Sequence, residues 1–279
     1  MRIIITLSAL TTVILFSCQK EKDFANGNAG GGSTSGGTRL VKMVQKTGSD
    51  SLVSEFSYNS SGKIIAYKLS GVQSGQPLDL RISYVRNSSG IIQKQVLKSS
   101  ELSATGVDSI VTVVTYDVAN SRYKGGISTF TIFGLPIRDS VVFTYEAAAG
   151  RFAYEIDYTD VGGGYEPVWK KEYNYTGNNL AAEKYYSYDG VSSFDLEESS
   201  IYEYDSKINP LQFASEAPVL NMNPFYSANN ITKETYLDAT DPTNNYVSTE
   251  TYVYNSSNRP SSSTNVTGPD SYTTTYYYQ

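Results

Sequence analysis

The chain has 279 residues, of which 13% are aromatic and 18% charged, with 28 Asp and Glu against 22 Lys and Arg. It contains no His and one Cys, which rules out Ser-His-Asp and Cys-His catalysis, His-ligated zinc and an internal disulfide. The acidic balance and the lack of a basic stretch argue against a nucleic-acid partner. The 25 Tyr, with abundant Ser, Thr and Asn, favour strands and turns over helices.

Arg2 is the only charge before an apolar run from Ile3 to Phe16. This order predicts a signal peptide over residues 1–17, too short to span a bilayer. The run ends Leu15-Phe16-Ser17-Cys18, which resembles the bacterial lipobox. That resemblance implies cleavage before Cys18 and lipidation of its sulfur, and two or more acyl chains give stable anchoring. Gln19-Lys20-Glu21-Lys22-Asp23 resembles the surface-export signal of Bacteroidota lipoproteins. Residues 27–38 are nearly all Gly, Ser, Asn and Thr, so residues 18–38 read as a lipidated Cys and a flexible tether. The expected location is the outer membrane, lipid-anchored and surface-exposed.

From residue 39 the chain is organised around one phrase, Phe56-Ser57-Tyr58-Asn59-Ser60-Ser61-Gly62-Lys63-Ile64. Residues i and i+2 of a strand share a face, so Phe56 and Tyr58 point together. Asn opens a type I turn and Gly suits its last position, where φ is often positive. Looser copies place the second aromatic at Tyr58, Tyr84, Tyr116, Tyr145, Tyr175, Tyr204, Tyr254 and Tyr278. Most steps span one hairpin and a connection, which predicts a repeat architecture. Residues 39–279 are therefore expected to form one all-β domain. Its consecutive antiparallel hairpins should make a large twisted or curled meander sheet. Trp169, Lys171, Tyr173 and Tyr175 share one face, opposite Lys170, Glu172 and Asn174, which predicts one covered and one wet face. Asp189-Gly190 predicts a two-residue hairpin.

Two stretches stand apart. Lys207–Asn230 contains Pro210, Pro218 and Pro224, which exclude a central strand. Its Leu211, Phe213, Val219, Leu220, Met222 and Phe225 predict an excursion packed over a sheet end. Asp-Ser-aliphatic triplets at Ser51, Ser109 and Ser140 read first as turn residues opening strands. They also resemble the O-glycosylation acceptor pattern of Bacteroidota.

The Tyr-x-Tyr-Asp/Asn-x-x-Gly/Asn phrases resemble YD (Rhs-like) repeats. The order of Tyr202–Leu211, Asn229–Ile231 and Tyr252–Tyr278 is similar to Bacteroidota lipoproteins with degenerate repeats of this type. The likeness implies a β-hairpin fold over residues 40–279 and carries no activity with it, and no toxin segment matches.

No catalytic motif, calcium loop, metal site or cofactor site emerges from the residues. Ser60–Lys63 and Ser121–Lys124 match Ser-x-x-Lys only as strings, because the first lies on a hairpin tip. Glu155 with Asp157, and Glu203 with Asp205, each share a strand face about 6.6 Å apart. These pairs keep a carboxylate-dependent glycoside hydrolase open as an alternative, beside a purely structural surface component. Burying a Tyr ring gains about 2 kcal/mol while a stranded hydroxyl costs about 1–3. Tyr thus suits a thin core or a platform for a glycan or a surface protein. Trp169, Tyr165, Tyr185 and Tyr186 are the candidate ligand contacts, because they flank loops or break the alternation. The reading favoured is a non-catalytic binding module.

Overall fold

The computed structural model describes residues 39–132, 134–147, 150–160, 162–212, 216–220 and 226–279. The predicted leader, Cys18 and the tether lie outside the described residues. The strands are β1 Leu40–Thr47, β2 Asp50–Tyr58, β3 Ile64–Gln73, β4 Gln76–Arg86, β5 Ile92–Ser99, β6 Ile110–Asp117, β7 Arg122–Ile132 and β8 Leu135–Tyr145. They continue as β9 Phe152–Asp160, β10 Glu166–Thr176, β11 Asn179–Tyr188, β12 Phe194–Ile208, β13 Asn229–Asp238, β14 Tyr246–Tyr254, β15 Pro260–Thr267 and β16 Asp270–Tyr278. Two short α-helical turns, α1 Ser100–Ala104 and α2 Ala217–Leu220, and a 3-10 turn, Pro242–Asn244, interrupt the series among the described residues.

Each strand pairs antiparallel with its chain neighbours, and β1 pairs with β16, so the sheet closes into a sixteen-stranded barrel. The expected large twisted or curled meander sheet is therefore corrected. An open sheet would leave the N–H and C=O groups of β1 and β16 bare, and cumulative strand twist brings distant edges around. Leu40 pairs with Tyr278 and Lys46 with Thr273. Arg39 and Gln279 exchange backbone bonds of 3.2 and 3.0 Å. Side-chain alternation carries no trace of this closure, because it is made by backbone groups that every residue has.

The covered face is the inside. Phe56, Tyr67, Leu80, Tyr84, Tyr173 and Tyr202 are buried, while Val72, Val85, Val113, Ile127, Val142, Val247, Val253 and Val266 are exposed on the opposite faces.

The recurrent phrases all lie at one end. Asn59 and Gly62 form the expected turn: Gly62 N donates to Asn59 O at 2.9 Å, and Asn59 Oδ1 accepts from Lys63 N at 2.9 Å. Gly62 has φ +78°, and Asn258 takes the same role at +57°. A register shift accompanies the turn, between Ser57 and Tyr58, Val85 and Arg86, Thr144 and Tyr145, Asn174 and Tyr175, and Val253 and Tyr254. The shift lets the second aromatic swing inward and reach the adjacent strand. Tyr58 Oη donates to Leu40 O at 2.7 Å, Tyr145 to Tyr123 O at 2.7 Å, Tyr204 to Leu180 O at 2.6 Å and Tyr278 to Pro260 O at 2.7 Å.

At the far end the hairpins are tighter. Asp189-Gly190 departs from expectation: β12 resumes only at Phe194. The Asp189 carboxylate accepts from the N–H groups of Val191, Ser192 and Ser193 at 2.7, 2.8 and 3.1 Å. Its side chain organises a five-residue loop in place of a two-residue one.

Eight strands can be filled by their own side chains, whereas sixteen enclose a channel unless something enters it. The excursion after β12 enters it. Leu211, Ala217, Val219 and Leu220 of α2, and Tyr226 are buried in one cluster with Leu40, Ile64, Ile92 and Phe152, and Pro218 is buried as well. The expected packing over a sheet end is thus a plug in the barrel mouth; Phe213, Met222 and Phe225 lie outside the described residues. Glu216 anchors it, accepting from Arg86 Nη1 at 2.7 Å and Nη2 at 2.9 Å, with Lys63 at 3.4 Å. At the far end, Leu102, Val107, Ile110, Phe130 and Ile132 form a second cluster under α1.

Candidate lumenal binding site

Inward residues of β8–β11 make a dense aromatic and acidic sector. Phe152 packs edge-on to Phe143 at 5.4 Å and stacks on Tyr226 at 5.7 Å, and Tyr173 lies 5.0 Å from Tyr226. Tyr173 Oη donates to Glu155 Oε1 at 2.6 Å, and Glu155 is 1% exposed. Burial pushes the Glu155 carboxyl up, against the pull of Lys171, which pairs with it across the ladder. Asp157 is pushed up to about 8 by burial, helped by Asp139 and Glu155.

The paired carboxylates read from sequence fare differently. Glu155 and Asp157 do share the inward face of β9, but Glu155 is stoppered by Tyr173. Glu203 points outward to Lys233 Nζ at 2.6 Å. Beyond the register shift after Glu203, Asp205 accepts from Lys207 N at 2.8 Å and from Asn230 and Tyr254. The shift divides that pair.

The four candidate aromatics do not assemble. Trp169 and Tyr185 face the lumen with rings 6.1 Å apart, and Trp169 is 9% exposed. Tyr186 is on the outer face, donating to Glu172 Oε2 at 2.9 Å under Lys170. Tyr165 is 40% exposed in the loop after β9, beneath the Arg138 guanidinium. Ser51 and Ser140 lie on the outer faces of β2 and β8, and Ser109 immediately precedes β6.

The space is elsewhere. A cavity of about 200 Å³ lies against β1, β2 and β12–β16, floored by Asn209, Pro210 and Leu211 of the plug. Its wall carries Glu234, Ser248, Glu250, Asn265 and the rings of Tyr202, Tyr252, Tyr272 and Tyr276. Ser200 Oγ donates to Glu234 Oε1 at 2.8 Å, Ser248 Oγ to Asn265 Oδ1 at 2.9 Å and Tyr252 Oη to Ile231 O at 2.9 Å. Burial raises Glu234 to about 7 and raises Glu250 as well. Sequence reasoning missed these residues. The signal was available in β14, where Ser248, Glu250 and Tyr252 alternate with Val247, Thr249 and Thr251: the glutamate shares the aromatic face.

The outer face has the opposite character. Lys42 pairs with Glu55, Glu55 with Lys68, Lys68 with Arg81 and Arg81 with Lys98, a charged row across β1–β5. Lys170, Glu172 and Lys184 continue it on β10 and β11.

The fold defines the class, a closed sixteen-stranded antiparallel barrel with a plugged end. Solved structures resemble it in fold, among them two porin-like proteins. A porin-like protein from Bacteroides uniformis is 14% identical with a TM-score of 0.55, covering 86% of this chain and 98% of its own. A porin-like protein from Bacteroides vulgatus is 12% identical with a TM-score of 0.52, with the same coverage. No protein-family model matches the chain, and no curated protein matches it. The likeness is one of fold.

Proposed function

We propose that this chain is an outer-membrane or cell-surface protein that does not cross the bilayer with its barrel. It is held there by lipid on Cys18 and acts as a non-catalytic binding module through its lumen. The observation that carries the reading is the reversed polarity of the barrel. A spanning barrel wears an apolar band about 25 Å tall and keeps its polar groups inside. Here Glu55, Lys68 and Arg81 sit near the middles of β2, β3 and β4 on the outer face, while Phe56, Tyr67 and Leu80 fill the inside. Each Lys or Arg at a bilayer midplane costs about 2–4 kcal/mol, so this surface belongs in water. Twelve of the sixteen strands have the nine or more residues that a spanning strand needs; their chemistry is what argues against it. The lumen supports binding because it is concave, ring-lined and holds a few fixed polar groups. A glycan or a segment of a surface protein is a ligand of suitable type, and the lumenal Trp169 and Tyr185 would then lie beyond the cavity wall.

The test is to make residues 39–279 without the leader. The reading expects a monomer soluble without detergent, with β-sheet circular dichroism, and no conductance across planar bilayers. Recovery only in detergent, or steady single-channel currents, overturns it. Separately, the full chain should take up labelled palmitate and Cys18→Ala should not.

A further inference from the structure

Resting on the lumenal reading above, the geometry points to a site for a small organic cation, such as a quaternary or protonated amine, between Glu234 and Glu250 in the unfilled sector of the barrel.

The first observation is a charge that the protein leaves unbalanced beside open space. Two other carboxylates inside the barrel meet bases, Glu155 facing Lys171 across the ladder and Glu216 holding Arg86 at 2.7 Å, while Asp157 lies beside Asp139 and Glu155. The cavity wall carries Glu234 and Glu250, and the one basic residue along it among the described residues, Lys233, has its ammonium 2.6 Å from Glu203 on the outer face. Glu234 stands directly opposite Ser248, and Glu250 is two residues along the same strand. That diagonal puts the two side chains about 7–8 Å apart at the backbone, close enough for one cation to lie between them.

The second observation is what surrounds the gap. Tyr202, Tyr252, Tyr272 and Tyr276 present rings to it, and ring faces attract cations, most strongly where water is excluded. The chain already uses this contact at its turn end, where Arg39, Arg122 and Arg151 lie 5.1, 4.7 and 5.9 Å over Tyr58, Tyr145 and Tyr175. Tyr252 and Tyr276 bring the same kind of ring to the cavity wall. Ser248 and Asn265 bond to each other at 2.9 Å and add a polar rim. Burial raises both carboxyls, with Glu183 adding to it at Glu234, and a cation entering would favour their ionised form. Other groups near Glu234 and Glu250 are Glu183 and the four tyrosines, none of them cationic.

The test titrates residues 39–279, which contain the whole closed barrel, with tetramethylammonium at pH 8 by calorimetry. tert-Butanol serves as the neutral control of similar shape, and a disaccharide series runs beside it. The expected result is saturable binding of tetramethylammonium, about tenfold weaker in Glu250→Gln and in Glu234→Gln. Affinity should fall again between pH 8 and pH 5, as the carboxylates protonate, with tert-butanol inert throughout. Circular dichroism and melting of both Gln variants establish that they fold. Equal affinity for tert-butanol, or undiminished binding in both folded variants, overturns the cation site. A disaccharide that binds and is lost in Glu250→Gln also overturns it while the lumenal reading survives. No binding of any probe sinks both.

Discussion

Two sectors of one lumen contrast sharply. Along β3–β11 the interior is packed: Ile64, Tyr67, Leu80, Ile92, Phe152, Tyr173 and Leu180 meet α2 and Tyr226 of the plug. Along β12–β16, β1 and β2 it holds a cavity of about 200 Å³, walled by Ser248, Glu250, Asn265, Thr274 and tyrosines. The backbone is the same throughout, and the hairpins repeat. The difference teaches that the barrel wall and its filling are separate problems here. The wall is made by local hairpins; the filling depends on a single excursion, which leans toward one side because Arg86 holds Glu216 there.

Breaking the packed sector should have the largest effect. Arg86 is nearly buried, bonding Ile64 O at 2.7 Å and Glu216. Arg86→Met leaves Glu216 without its buried partner, which costs about 3–5 kcal/mol, read as a lowered urea midpoint. Phe152→Ala removes the ring that joins Phe143, Tyr173 and Tyr226, and should cost about 3–5 kcal/mol. The matching change in the open sector, Thr274→Ala, should stay under about 1 kcal/mol; similar costs in both sectors would refute the contrast.

Acid sharpens it. Asp157 and Glu234 have folded pKa values near 8 and 7, above those of the unfolded chain. A raised carboxyl favours the folded state below the unfolded pKa, and that advantage is lost as pH rises through the folded value. The melting temperature should therefore fall as pH rises from about 5 towards 8, most steeply below about pH 7, where both carboxyls are protonated only in the folded state, and level off above about 8.5. Asp157→Asn and Glu234→Gln should each flatten the profile, Asp157→Asn at its upper end. A profile flat in the wild type would show that these carboxyls are hydrated.

The smallest effects test the turn end. Gly62→Ala places a Cβ at φ +78°, 2.5 Å from the movable Arg39 Nη2, and should cost about 1 kcal/mol. Tyr145→Phe deletes the bond to Tyr123 O and should also cost about 1 kcal/mol. In the second hairpin the place next to the turn falls to Arg86, whose Nε and Nη2 take Ile64 O at 3.0 and 2.7 Å, and Tyr84 stands where Phe56 does in the first. The Tyr84 hydroxyl is left buried without a partner. Tyr84→Phe should therefore be neutral or slightly stabilising. Equal losses at the two tyrosines would contradict this reading of the repeat.

The amino-acid sequence by itself determined the hairpins, because turn chemistry and two-residue alternation are local. Asn59 with Gly62, the inward set Trp169-Lys171-Tyr173-Tyr175, and a proline-rich excursion that could not be a strand were all legible from spacing. Asp189 was not, since how far its carboxylate would extend the loop depends on where β12 resumes pairing. Tertiary structure alone decided that the sheet closes, that the covered face is a lumen, and that a charged row crosses the outside of β1–β5. It also decided that Trp169 and Tyr185 turn inward while Tyr165 and Tyr186 do not. Alternation assigns residues to two faces without saying which encloses a volume, and only closure, made by backbone groups common to every residue, gives one face an inside. The same closure turned Glu234 and Glu250, distant from any motif, into neighbours across an acidic cavity.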